Sequence, residues 1–274
     1  MIKVYHAKNQ LREELERLEE ERKPPLVMPL ACVLLTFFLT EHPELTMWIK
    51  DFAGIILEGV TGKHFVLLPK MVQASICFLP VFFAYRLICA VREPSRKEGV
   101  LEGGLIGETI ALDLVKSGLQ MDATVYTNLL VPNQDGTGSC EVDLTLVTAS
   151  GLTVIEVKHY SGTVSGDADD YELKHANFHK KATFYNPIRQ SRTHVHALKA
   201  YLLKNWIDVP VRRCVLFTHE NFKLDLGDSQ SILQYCPVFT MDDLDAFYSY
   251  LEGGSRILGA SAVERTNRIL QRLL

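Results

Sequence analysis

In the charged segment KNQLREELERLEEERK, Leu11, Leu15 and Leu18 recur at helical spacing, which predicts a short amphipathic helix over 8–23 within a charged N-terminal helical segment, 1–23. The pattern then changes. Leu26 to Thr40 carries no charge, and a second apolar run from Phe65 to Val91 is interrupted only by Lys70 and Arg86. The first run is shorter than the ~20 residues of a usual span, although Pro24 and Pro25 can open its helix. Together the runs predict a transmembrane hairpin with helices at about 24–41 and 70–91, inside an anchor spanning 24–92. The alternative is a pair of buried helices. Between the runs, Leu45, Trp48, Ile49, Phe52, Ile55 and Ile56 suggest an interfacial helix.

Beyond a polar linker at 93–103 the pattern is that of a mixed α/β domain over 104–274. Helices are predicted at 104–119 and 186–205, with strands at 124–131, 141–148, 152–159 and 212–218. Helices over 241–251 and 263–273 close the chain.

Charge and cysteine usage narrow the class. Arg22, Lys23, Arg86, Arg92, Arg96 and Lys97 flank the apolar runs, which places both ends on the cytoplasmic side of an inner or plasma membrane. The net charge of -4 excludes a uniformly basic coat for nucleic acid, so any such contact needs a local patch. The six cysteines include no CxxC pair and read as reduced thiols.

The chemistry concentrates in CEVDLTLVTASGLTVIEVKHYSG, 140–162. Side chains alternate along a strand, so Val142, Leu144 and Leu146 share one face and Glu141 and Asp143 the other. In the next strand Glu156 and Lys158 share a face opposite Ile155 and Val157. A two-residue turn at Ala149-Ser150 puts Thr148 opposite Gly151, Asp143 opposite Glu156, and Glu141 opposite Lys158. Two facing carboxylates repel unless something positive lies between them. A divalent cation such as Mg²⁺ does that with only one or two carboxylates, water and substrate phosphate. Lys158 is then placed to position a metal-bound water and to offset transition-state charge. A solvated sheet edge carrying a Glu141–Lys158 ion pair explains the spacing equally well.

These residues resemble the nuclease-related domain (NERD) family of the PD-(D/E)XK nuclease superfamily. GLIGE at 104–108, EVD at 141–143, VIEVKHYSG at 154–162 and NPIRQ at 186–190 match in order, over roughly 104–203. Val142 stands where the simplest superfamily pattern has proline. The resemblance implies a restriction-endonuclease-like αβββαβ core, a mixed sheet flanked by helices. It implies Asp143 and Glu156 as ligands of Mg²⁺ or Mn²⁺, with Glu108 contributing directly or through water, Lys158 as the catalytic lysine, and Gln190 orienting Lys158 or the substrate. The expected activity is a membrane-anchored, metal-dependent nuclease, with DNA preferred over RNA. The alternatives are a nucleic-acid-binding protein or a membrane scaffold on an inactive nuclease fold.

Lys174, His175, His179, Lys180, Lys181, Arg189 and Arg192, interleaved with Phe178, Phe184 and Tyr185, form either a phosphate-binding patch or a solvated helix face. Of these, Lys174, Lys180, Lys181, Arg189 and Arg192 are the candidate nucleic-acid contacts. His194 and His196, two apart, do not share a helix face and read as ordinary partner-bonded histidines.

Overall fold

The computed structural model describes residues 1–22, 96–133, 135–178, 180–227, 229–254 and 258–274. It divides into two compact units, Met1–Leu15 with Gly99–Leu274, and Glu16–Glu98. Only the first bears the candidate chemistry.

Its strands are β1 (Ile2–His6), β2 (Ala123–Pro132), β3 (Ser139–Thr148), β4 (Gly151–Lys158), β5 (Gly162–Ser165), β6 (Glu172–Asn177), β7 (Lys180–Tyr185), β8 (Val211–Phe217), β9 (Phe222–Asp225) and β10 (Val238–Phe239). The helices are α1 (Gln10–Arg22), α2 (Arg96–Gly118), α3 (Pro187–Lys204), α4 (Gln230–Leu233), α5 (Leu244–Glu252) and α6 (Ala260–Leu270). A mixed six-stranded sheet runs β1-β2-β3-β4-β8-β10, and a second sheet runs β7-β6-β5-β9. The expected order of helix, three strands, helix and strand is present as α2, β2, β3, β4, α3 and β8.

Each face of the large sheet is covered. Ala111, Leu112 and Val115 of α2 and Phe247 and Leu251 of α5 pack with Leu144, Leu146, Ile155 and Leu216. On the other side Val195, Leu198 and Leu202 of α3 and Ile269 and Leu270 of α6 pack with Tyr126, Leu129, Val147 and Val154. Leu144, Leu146, Leu152 and Leu198 are fully buried, each removing about 2 kcal/mol of apolar surface energy from water.

The β3–β4 hairpin has the predicted register. Thr148 pairs with Gly151 and Leu144 with Ile155. Gly151 has φ +116°, and a Cβ there would lie 2.4 Å from the Pro210 carbonyl, so both the turn and the adjoining loop require glycine.

Four expectations change. The segment assigned to a polar linker is helical from Arg96, because Leu101 and Leu105 continue the spacing that leads to Leu112 and Val115. The 1–23 segment is not helix alone. Residues 2–6 form an edge strand parallel to β2, with Val4 opposite Val125. Residues 172–177 and 180–185 are strands, so the solvated-helix reading of the basic patch fails there. Val142 also leaves the face it was expected to share with Leu144 and Leu146, packing instead with the α3-side cluster.

The membrane expectation is corrected as well. Among the described residues no helix is long and apolar enough to cross a membrane. The two proposed spans, the 24–92 lipid contact and the interfacial helix at 41–64 lie outside the described residues. The hairpin rested on hydropathy alone, with one run too short and the other broken by Lys70 and Arg86. An integral inner- or plasma-membrane location is therefore not supported.

Candidate active site

The break in alternation at Val142 creates the site. Thr127 pairs with Leu144 and Leu129 with Val142, leaving Asn128 and Asp143 outside the ladder. Asn128 takes φ 56°, the left-handed conformation that asparagine tolerates better than most side chains. On the other edge of β3 the pairing with β4 ends at Leu144–Ile155. The Asp143 carboxylate then replaces the missing carbonyl, and Oδ2 accepts a 2.8 Å hydrogen bond from Val157 N–H.

Glu156 follows on β4 and is fully buried. Its Oε1 accepts from Lys158 Nζ at 2.7 Å. Its Oε2 lies 3.0 Å from His194 Nδ1 of α3, yet alignment is poor and neither atom completes a hydrogen bond. Lys158 therefore pairs with Glu156, two residues away on the same face, and not with Glu141 as the sheet-edge alternative required. Glu141 Oε1 is a second buried acceptor with no partner.

Glu108 reaches the site from α2. Its Oε2 accepts from Asn9 Nδ2 and Asn128 Nδ2, each at 2.8 Å. The glycines of GLIGE explain the approach of this helix. A Cβ on Gly104 would lie 2.9 Å from Leu11, and one on Gly107 would lie 2.7 Å from the His159 Cβ. Glycine costs a helix about 1 kcal/mol per residue relative to alanine, and here the cost secures backbone contact beside Lys158.

The NPIRQ motif builds the start of α3. Asn186 is the N-cap, and its side chain accepts from Ile188 N–H while donating to the Ala168 and Asp170 carbonyls. Pro187 occupies the first turn, where its missing donor costs nothing. Gln190 is half-buried one helical turn before His194, and no hydrogen bond joins it to Lys158 among the described residues.

The electrostatics follow from this packing. Burial, reinforced by the Glu156 charge, pushes the Asp143 carboxyl well above its ordinary range. Burial acts on Glu156 in the same direction, but Lys158 and His194 outweigh it and hold the carboxyl low. Burial would lower the Lys158 ammonium, yet Glu156 and Asp143 hold it above its usual value. Burial raises Glu108 despite its two asparagine donors. Beside the cluster, His159 lies 2.9 Å from Thr218 Oγ1, and its imidazole is pushed down by burial and by His219.

Residues 103–218 match the family model of the nuclease-related domain. This segment is a nuclease-related domain. No curated protein and no solved structure matches the chain. The NERD segment contains Glu108, Asp143, Glu156, Lys158 and Gln190, and it runs from α2 through the end of β8.

Within the NERD segment the candidate nucleic-acid contacts divide. Lys174 and Lys181 alternate with the buried Leu173 and partly buried Phe184, which puts them on the solvent face of the second sheet. Arg189 and Arg192 lie on α3 and line a separate cavity. His179 and the Lys180 side chain lie outside the described residues. Asn9, Asn128 and His194 were missed as site residues. A polar Asn inside the apolar strand TNLLVP, and a histidine four residues after Gln190, were the available signals.

Among the described residues no group of three or more His, Cys, Asp or Glu is arranged to hold an ion. A two-carboxylate site for Mg²⁺ or Mn²⁺ needs fewer protein ligands. The buried Glu156 Oε2 lacks a hydrogen bond, and burial together with the Glu156 charge disfavours ionisation of Asp143 beside it. An unsatisfied acceptor and a destabilised carboxylate are the donor set that a hard cation improves.

Proposed function

We propose that the nuclease-related domain is a metal-dependent phosphodiesterase acting on nucleic acid, with DNA preferred over RNA, on a restriction-endonuclease-like core of the PD-(D/E)XK type. The observation that carries this reading is the convergence of Asp143, Glu156, Lys158 and Glu108 where the β2–β3 ladder breaks. Asp143 and Glu156 would hold Mg²⁺ or Mn²⁺, and Glu108 would contribute from α2. The ion supplies charge neutralisation at a phosphate oxygen and a more acidic water. The ionised Asp143 carboxylate would serve as a ligand, and Lys158, beside Glu156, would orient the nucleophile and offset charge on phosphorus. His194 supports Glu156 from behind, and Gln190 on the same helix face contacts the substrate or Lys158.

Two observations favour a second reading, a nucleic-acid-binding module with weak hydrolysis. Lys158 is engaged by Glu156, and no three-ligand group exists among the described residues.

The test uses the full chain, because β1 belongs to the sheet that carries the site. It is incubated with linear, circular and single-stranded DNA and with RNA, in EDTA, Mg²⁺ or Mn²⁺. Asp143→Ala and Lys158→Ala are run alongside after their folding is checked. Metal-requiring cleavage lost in both variants is the expected result. Binding without cleavage by a folded wild type would select the second reading.

A further inference from the structure

A cavity of about 310 Å³ opens beside the start of α3, and none of the candidate catalytic residues lines it. That is the lower end of the range for small-ligand pockets. Three arginines line it: Arg189 and Arg192, one turn apart on α3, and Arg213 of β8. Among the described residues, none of the three has a carboxylate within ion-pair distance. In a chain of net charge -4, three guanidiniums around one cavity, with no ion pair to any of them among the described residues, concentrate positive potential there.

Two of them are held in place. Arg213 Nη1 donates to the Ile188 carbonyl at 2.6 Å and to Ser191 Oγ at 3.1 Å. Arg189 Nη1 donates to the Asp169 carbonyl at 2.9 Å, and its guanidinium lies 5.8 Å from the Tyr171 ring centroid. These contacts leave donors over. Arg189 Nε is buried with no partner. Arg192 is exposed at the rim. Among the described residues, the one acidic residue lining the cavity, Asp169, is exposed and engages Arg189 through its backbone.

Planar guanidiniums recognise carboxylate and phosphate oxygens through paired hydrogen bonds, and several around one site suit a doubly charged phosphomonoester. Two aromatics indicate what carries the phosphate. Tyr235 lines the cavity at 71% exposure, and Tyr171, 67% exposed, lies against Arg189. Exposed rings beside phosphate-binding cations are the elements of a stacking platform for unpaired bases.

We infer that this cavity binds the terminal phosphate of a nucleic-acid strand, so that the domain engages strand ends. The identity of the carrier rests on the nuclease reading above, whereas the phosphate site does not.

The experiment measures binding by the full chain in EDTA, where metal-dependent turnover is absent. Fluorescence anisotropy compares single-stranded oligonucleotides of one sequence bearing a 5′-phosphate, a 3′-phosphate or two hydroxyl ends. Inorganic phosphate is titrated separately by calorimetry. One phosphorylated end is expected to bind about tenfold tighter than the hydroxyl form. The preference should shrink in Arg192→Ala and vanish in Arg189→Ala/Arg192→Ala. Arg213 is left intact because it also ties α3 to β8. Asp143→Asn should retain the preference, and a folded wild type that shows the end preference but cleaves nothing with Mg²⁺ or Mn²⁺ would defeat the catalytic reading and spare this one. Binding of inorganic phosphate that the double variant loses, with no end preference, keeps the anion site but overturns strand-end recognition. Absence of both in folded wild type, or an end preference that survives the double variant, overturns the proposal.

Discussion

Lys158→Met isolates the buried ion pair while keeping most of the apolar stem of the side chain. Lys158 Nζ lies 2.7 Å from Glu156 Oε1, with side-chain exposures of 19% and 0%. At an effective dielectric of 20 the attraction is about 6 kcal/mol before desolvation. The net loss is smaller, because the wild type has already incurred the cost of burying both charges. Removing one member of a buried pair typically costs about 3–5 kcal/mol, since the survivor is left charged in the interior. His194, 3.0 Å from the other oxygen, compensates only in part, so the lower end of that range is expected. For a domain of this size, about 3 kcal/mol lowers the melting temperature by about 6–12 °C. Glu156→Gln/Lys158→Met, which removes both charges, should recover most of the loss. The loss should also shrink at acid pH. Glu156 stabilises the wild type above its ordinary carboxylate range, and that contribution disappears as pH falls through its lowered folded value. Thermal and urea denaturation in EDTA across the four members of the cycle measure the coupling. A Lys158→Met protein within 1 kcal/mol of wild type, or a coupling energy near zero, would refute the pairing and with it the account of how Lys158 is held.

Asp143→Asn should raise stability in EDTA at neutral pH. The wild-type carboxyl is raised in the folded state, so its folded form binds a proton that the unfolded chain releases, and stability falls as pH rises through that window. Melting curves of the two proteins should converge at acid pH, and a constant difference would contradict the assigned environment. Mg²⁺ should then raise the melting temperature of wild type but much less that of Asp143→Asn, which calorimetric scans will detect. In α2, Gly107→Ala should cost about 1–3 kcal/mol because its Cβ would lie 2.7 Å from that of His159. Gly103→Ala meets nothing within 4 Å and should stabilise by about 1 kcal/mol in the same urea titration. Asn128→Gly keeps the left-handed backbone and removes one donor to Glu108, with an expected loss of about 1 kcal/mol and slower cleavage.

Local rules made the site hairpin legible. Alternation and the Ala149-Ser150 turn set the register from Thr148–Gly151 to Leu144–Ile155. The order α2, β2, β3, β4, α3, β8 was likewise readable from apolar periodicity. What escaped was non-local. β1 offers only five residues and acquires its meaning by pairing with β2 more than a hundred residues on. β5, β6, β7 and β9 are short, and β6, β7 and β9 each carry charged residues, which mimics a loop. Alternation also failed at Val142, because the irregularity that turns Asp143 toward Val157 needs both Asn128 and its partner strand. Pairing Glu141 with Lys158 assumed a regular ladder at the point where the ladder stops.

The edge strand also sets an order of assembly. Ile2 aligns with Ala123, so β1 leaves the ribosome 121 residues ahead of the strand it pairs with. At bacterial or eukaryotic synthesis rates that interval is about 6–24 s. Until β1 docks, the outer edge of β2 presents unpaired backbone groups, a template for pairing between chains. A fusion or truncation that delays β1 should therefore lower soluble yield even if every residue of the catalytic cluster is intact.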